Sequence, residues 1–163
     1  MPVVAAVNGA AAGAGCSLAL CADVVVAARS AYFLQAFVNI GLVPDVGSTW
    51  LLPRQVGRAR ASAMMMLGER IGAEKAEEWG MIYRCVDDAE LMDAAIGIAG
   101  NFANGPTRAY AMIRTGIRRA LETTLTDTLR QERENQLTAG NSGDFAEGVR
   151  AFLAKEKPVF TGR

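Results

Sequence analysis

"VVAAVNGAAAGAGCSLALCADVVVAA", residues 3–28, decides the fold class. Val3 to Val7 is a short, apolar, partly β-branched run ended by Asn8-Gly9, the pattern of a buried strand. Gly9 to Gly15 is a loop of small residues, Cys16 to Cys21 is compatible with a helix, and Asp23 to Ala28 is a second buried strand. Strand, glycine-rich turn, helix and strand together predict a parallel βαβ-type unit, not a hairpin, because parallel strands need a crossover connection. The expected class is α/β.

Working outward, "AYFLQ" (31–35) reads as another short strand. Gly47 to Val56 predicts a short helix interrupted near Pro53, and "RARASAMMMLG" (58–68) a second helix stopping at Gly68. "GAEKAEEWG" (72–80) reads as an acidic helix closed by glycine, and "MIYRCV" (81–86) as a strand. Helical segments follow, with breaks at Asn104-Gly105-Pro106 and at Gly140-Asn141-Ser142-Gly143. In the last of them Phe145, Val149, Phe152 and Leu153 fall on one helical face, with Asp144 and Glu147 near its start and Lys155 and Lys157 near its end. The methionines at 64–66 are expected in the core or an interface, and Cys16 and Cys21 as small buried apolar groups. Composition therefore divides the chain into an apolar, β-rich part over residues 1–57 and a charged helical part over 58–163. A sheet this apolar needs cover on both faces, and the strands visible are too few for a complete one, so the chain reads as part of a fold.

At 163 residues the chain fits one domain with a real core. Its 17 basic and 17 acidic residues balance, so no overall field steers it to nucleic acid or a membrane surface. The basic residues also lack the interleaved aromatics of a single-strand groove, and nucleic-acid binding is not expected. Three cysteines without C-x-x-C spacing support neither a disulfide framework nor a zinc site. There is no histidine, which removes Ser-His-Asp and Cys-His activation and histidine acid–base chemistry together. Proton transfer must use a carboxylate, Tyr, Lys, Cys or a held water. The apolar N-terminal stretch lacks a basic leader and is interrupted by Asn8, Gly9, Gly13, Gly15 and Asp23, so no membrane span is expected and the expected location is cytoplasmic.

Two loops carry the candidate chemistry. Gly9, Gly13 and Gly15 form neither G-x-G-x-x-G nor a Walker loop, but small residues before a helix let its free N–H groups meet a ligand. Close helix–sheet packing explains the same glycines and stays open as the alternative. In "NIGLVPDVGSTW" (39–50), Asp45 is the only charged residue, and no basic residue lies between Arg29 and Arg54 to pair with it. Its apolar neighbours Ile40, Leu42, Val43, Val46, Trp50 and Leu51 predict a partly buried, unpaired carboxylate fit to exchange protons. A surface turn is the plain alternative, since Pro-Asp-x-Gly is good turn chemistry.

Taken in order, "AAVNGAAAGAGCSLALCAD", "FLQAFVNIGLVPDVGSTWLLPR", "GAEKAEEWGMIYRCVDD" and the terminal "AFLAKEKPVFTGR" resemble the crotonase (enoyl-CoA hydratase/isomerase) superfamily over essentially the whole chain. The resemblance implies part of a ββα spiral core followed by C-terminal trimerisation helices. It implies an acyl-CoA thioester as partner, no separate cofactor since coenzyme A is part of the substrate, no metal, and a homotrimer or hexamer. The family holds the thioester carbonyl between two backbone N–H groups, and the N–H of Ala14, after Gly13, matches one of them. The two glutamates with which hydratases of the family add water match Ser17 and Phe37 here, so neither is present. A different branch uses an aspartate after Gly-x-x-Pro, which Asp45 matches.

"GLVPDVGSTWLLPR" is most similar to the branch that rearranges a ring epoxide of a phenylacetyl thioester, and also resembles members that shift enoyl double bonds. Those branches usually carry glycine or serine at the Val46 position and glycine at the Ser48 position. The implied catalytic groups are Asp45 as acid–base and the Ala14 N–H as oxyanion donor. Gly13, Ser17, Phe37, Leu42 and Trp50 would line the acyl site, with core packing an equal account of Phe37 and Trp50. Lys155 would meet the CoA phosphates, or is a solvated helix-end lysine. Relatives begin with a further β-rich segment that supplies the second oxyanion N–H and much of the adenine pocket. The chain is thus expected to be a fragment or a shortened relative. Three readings follow: an acyl-CoA isomerase, an enoyl-CoA hydratase, or an inactive oligomerisation or binding remnant.

Overall fold

The computed structural model describes residues 1–163. In the first compact unit, Val3–Ile98, the elements are β1 (Val4–Val7), β2 (Ala10–Ala12), α1 (Ala14–Leu20), β3 (Val24–Ala28), β4 (Tyr32–Leu34), a 3-10 helix (Ala36–Ile40), α2 (Ser48–Leu67), β5 (Ile71–Gly72), α3 (Ala73–Glu78) and β6 (Arg84–Val86). A short 3-10 turn (Asp88–Glu90) then leads into α4 (Leu91–Ala103). β1 and β3 pair in parallel, Val4 opposite Val24 through Val7 opposite Ala27, and β6 joins the far side of β3, also in parallel. This is the expected βαβ-type unit. β3 is central in its sheet, and its residues Val25 to Ala28 are all buried, which is why it reads as an unbroken apolar run.

A second small sheet has the order β2-β4-β5, with β2 and β4 parallel and β4 and β5 antiparallel. Two of its strands differ from the sequence expectation. Ala10–Ala12, read as loop, is a strand because its backbone groups pair with β4, and three alanines carry no periodicity that would reveal it. The two-residue β5 is likewise defined by its pairing with β4.

The core of this unit is built around Phe33, Leu20, Leu52, Met64 and Val26. Two local expectations are corrected. The expected separation of the helices at 47–56 and 58–68 is the kink at Gly57 (φ 78°, ψ 160°) within α2, but no interruption falls at Pro53, because the locked φ of proline is itself helical whereas a positive φ is open to glycine at little cost. Cys16 is buried but Cys21 is exposed, since five residues carry a helix through about 500° at 3.6 residues per turn and leave them on different faces. Of the three methionines Met64 is buried in the core, Met65 packs against it and Met66 is 73% exposed, because consecutive helical residues turn by about 100°. The glycine stops hold: Gly68 (φ 62°) and Gly80 (φ 71°) are both left-handed.

The second unit comprises Ala99–Arg163 with Met1–Pro2. Compactness divides the chain at Ile98–Ala99. Here lie α5 (Thr107–Ala120), α6 (Leu125–Gly140) and α7 (Gly143–Ala154). Thr124 caps α6 by accepting from the Asp127 N–H at 3.2 Å, and Ser142 caps α7 by accepting from the Phe145 N–H at 3.1 Å. The C-terminal strand of chain is strapped to α7 by carboxylates. Buried Asp144 accepts from the N–H groups of Thr161 (2.7 Å) and Gly162 (3.0 Å), and Glu147 accepts from that of Val159 (3.0 Å). Arg150 bonds Glu147 and Glu156, each at 2.7 Å. Phe145, Val149, Phe152 and Phe160 line a cavity of about 400 Å³. No helix is long and apolar enough to cross a membrane.

Candidate active site

Gly13 takes φ 54° and ψ −126°, a backbone state that side-chain-bearing residues rarely adopt, and so turns the chain from β2 into α1. Its N–H donates to the Leu34 carbonyl at 2.8 Å, which fastens the turn to β4. Its carbonyl accepts from the N–H groups of Cys16 (3.1 Å) and Ser17 (3.3 Å). Ala14, the first residue of α1, is exposed, and the N–H of a first helical residue has no acceptor within its helix. This is a backbone donor open to a ligand.

The second loop follows from the 3-10 helix. Gly41 (φ 73°) closes that helix, and the Leu42 N–H donates to the Phe37 carbonyl at 2.9 Å. Leu42 to Val46 then runs as a loop to the start of α2, with positive φ at Val46 (49°) and Gly47 (77°). Ser48 holds the loop end: its N–H and hydroxyl both donate to the Asp45 carbonyl, at 3.1 and 2.8 Å. The Ser48 hydroxyl also bonds the hydroxyl of Ser17 on α1, and both serines are only 1% exposed. The two loops are therefore joined through two buried side chains.

The placement of the individual candidates varies. Phe37 is buried, with its ring near Gly13. Trp50 is half-buried, the Arg54 guanidinium stacks 4.1 Å over its ring, and Arg54 also donates to its carbonyl. Leu42 is exposed. Asp45 is exposed as well, which corrects the expectation of a partly buried carboxylate: its neighbours Ile40, Val43 and Val46 project outward with it and do not close over it. The Ser17 hydroxyl is committed internally, to Ser48 and, at 3.3 Å, to the Gly13 carbonyl. It is not free for a substrate. Lys155 belongs to the other unit, where it ends α7 in the left-handed region (φ 56°).

Sequence reasoning treated Ser48 only as a departure from a usual glycine; a serine at a helix start was the available signal. Gln35 went unremarked, yet it is fully buried, with its amide beside the buried Cys16 thiol. Burial pushes the Cys16 thiol up to about 11, so it is no nucleophile. No set of three or more His, Cys, Asp or Glu side chains is placed to hold a metal ion.

The family model described as enoyl-CoA hydratase/isomerase matches residues 1–163. The chain belongs to the enoyl-CoA hydratase/isomerase family. The 1,2-epoxyphenylacetyl-CoA isomerase of Escherichia coli K12 is 52% identical over 162 residues, 99% of this chain and 62% of that protein. A probable enoyl-CoA hydratase of Rhodobacter capsulatus is 51% identical over 163 residues, 100% of this chain and 63% of that one. The crystal structure of an enoyl-CoA hydratase from Polaromonas sp. JS666 superposes with a TM-score of 0.95 at 39% identity, covering 98% of this chain and 62% of that chain. The chain thus spans less than two thirds of the length of these family members. Its α/β architecture is the one this family shares.

Proposed function

We propose that the protein is an acyl-CoA isomerase that works through a thioester enolate, in the manner of an epoxyphenylacetyl-CoA isomerase or an enoyl-CoA double-bond isomerase. The thioester oxygen accepts a hydrogen bond from the Ala14 N–H, where the start of α1 favours negative charge. The Asp45 carboxylate takes a proton from the activated carbon, and the electron pair delocalises onto the thioester oxygen. The resulting acid, which is exposed and exchanges with solvent between the two steps, returns a proton at another carbon, so the atoms balance with no co-reactant. Phe37 and Trp50 wall an apolar acyl pocket, with Gly13 and Leu42 beside it. No metal or redox cofactor is required, because the substrate carries its own coenzyme A. Lys155 meets the CoA phosphates.

The observation that carries this reading is that Asp45 is the one carboxylate between Asp23 and Glu69, and its carbonyl is tied through Ser48 and Ser17 to the helix that presents the Ala14 N–H. One carboxylate suffices for a proton shuttle, whereas water addition in this family uses two, at positions held here by Ser17 and Phe37. The R. capsulatus relative favours hydration as the second reading. We place the enzyme in the cytoplasm as a homotrimer or hexamer. Support for assembly comes from apolar side chains left exposed on α5 to α7, among them Ile117 (64%), Leu129 (55%) and Phe152 (82%).

The test is deuterium uptake from heavy water into crotonyl-, 3-enoyl- and phenylacetate-derived CoA thioesters, followed by mass spectrometry. Uptake at Cα or Cγ that disappears in Asp45→Asn supports the shuttle. A product heavier by one water supports hydration instead. No uptake and no product with any thioester sinks both.

A further inference from the structure

Ser17 and Ser48 join α1 to the start of α2 side chain to side chain, and their surroundings restrict what they can do. Each hydroxyl carries one proton. Around the pair stand only two backbone acceptors, the Gly13 carbonyl at 3.3 Å from Ser17 Oγ and the Asp45 carbonyl at 2.8 Å from Ser48 Oγ. Two protons cannot fill both of these contacts and the bond between the hydroxyls. Because the serines are buried and face each other, one proton stays between them and the other goes to one carbonyl. The shorter contact is the one to Asp45, so the favoured order is Ser17 donating to Ser48 and Ser48 donating to Asp45.

The backbone on either side gives this pair its reach. The Gly13 carbonyl belongs to the same peptide group as the Ala14 N–H, and the Asp45 carbonyl belongs to the residue that carries the candidate acid–base. With that order the Ser17 N–H, donating to the Gly13 carbonyl at 3.3 Å, ties the pair to the first peptide and the Ser48 hydroxyl ties it to the second, so one is fixed against the other, and low dielectric around the pair strengthens each link. Val46 raises the need for a clasp, since a β-branched residue at φ 49° pulls the loop toward other conformations.

We propose that Ser17 and Ser48 are positioning residues, a buried hydroxyl clasp that holds the Asp45 loop in register with the peptide bearing the Ala14 oxyanion donor. The clasp rests on the isomerase reading for its catalytic use but not for its existence. Neither serine touches the substrate, and each acts through the backbone of another residue.

The experiment compares the full chain with Ser17→Ala, Ser48→Ala, the double variant and Ser17→Thr by two readouts. The first is deuterium uptake into the thioester that the unaltered chain turns over. Each alanine variant is expected to lower kcat by about 10- to 100-fold, the range a small misplacement costs, with KM changed less than about twofold. The double variant should lose no more than either single one, because either change already opens the clasp. Ser17→Thr keeps the hydroxyl and should recover most of the rate. The second readout is backbone amide exchange at Val46, Gly47 and Ser48, which Ser17→Ala should accelerate although residue 17 lies on another element. Active protein whose kcat survives Ser17→Ala within twofold overturns the positioning role. Unchanged amide exchange at 46–48 overturns the clasp itself. Absence of uptake by the unaltered chain instead overturns the isomerase reading and, with it, the catalytic use of the clasp, leaving the amide data to decide the link.

Discussion

The ring of Phe37 stands where a side chain on Gly13 would project: a Cβ built there meets Phe37 Cζ at 3.7 Å. That is ordinary contact, so space does not forbid alanine. The backbone does, through φ 54° and ψ −126° at Gly13. Gly13→Ala is expected to cost about 1–3 kcal/mol, the usual strain for such a conformation, and to lower the rate of thioester deuteration by reorienting the Ala14 N–H. Urea unfolding and the uptake assay measure the two effects separately. Unaltered stability would mean that the turn is not held in this conformation.

Val46 presents the opposite case. A valine at φ 49° is strained by its branched Cβ. Val46→Gly removes strain of about 1–3 kcal/mol but adds freedom to the unfolded chain worth about 0.5–1 kcal/mol. The net expectation is a gain between about zero and 2.5 kcal/mol, read from the midpoint of urea unfolding. A loss of stability in this variant would rule out strain at Val46.

The carboxylate straps on α7 make the C-terminal tail sensitive to acid. Hydrogen bonds from Arg150, and then from the Val159 N–H, hold the Glu147 carboxyl at about 2 against its ordinary 4.5. A carboxyl depressed in the folded state stabilises above its ordinary value and loses that contribution as pH falls through the folded one. The tail is therefore expected to stay fastened above about pH 4.5 and to loosen progressively toward about pH 2. Amide exchange at Val159 should rise over that window after correction for its intrinsic pH dependence, and Glu147→Gln should remove the step. A flat corrected profile in the unaltered chain would refute the strap.

The cysteines should separate cleanly by reactivity. Cys16 is buried with its thiol raised to about 11, whereas Cys21 is exposed. Iodoacetamide at pH 8 should modify Cys21 rapidly and spare Cys16 until urea unfolds the protein, as peptide mapping would reveal. Early modification of Cys16 would show that α1 opens locally.

The sequence by itself determined the parallel βαβ-type unit, the family, the glycine stops at Gly68 and Gly80, and the candidate pair of Ala14 and Asp45. These follow from local order: β-branched runs, small-residue turns and helical periods are written in neighbouring residues, and motif spacing survives without coordinates. Tertiary structure alone decided that Ala10–Ala12 is a strand, since its only claim to be one is the partner β4. It alone decided that Asp45 is exposed, because burial depends on what packs over a loop and not on the polarity of its neighbours. It alone joined Ser17 to Ser48 across 31 positions of chain. A hydrogen bond between distant elements leaves no periodicity in either of them, and two serines become a clasp only when the fold brings them together and buries them.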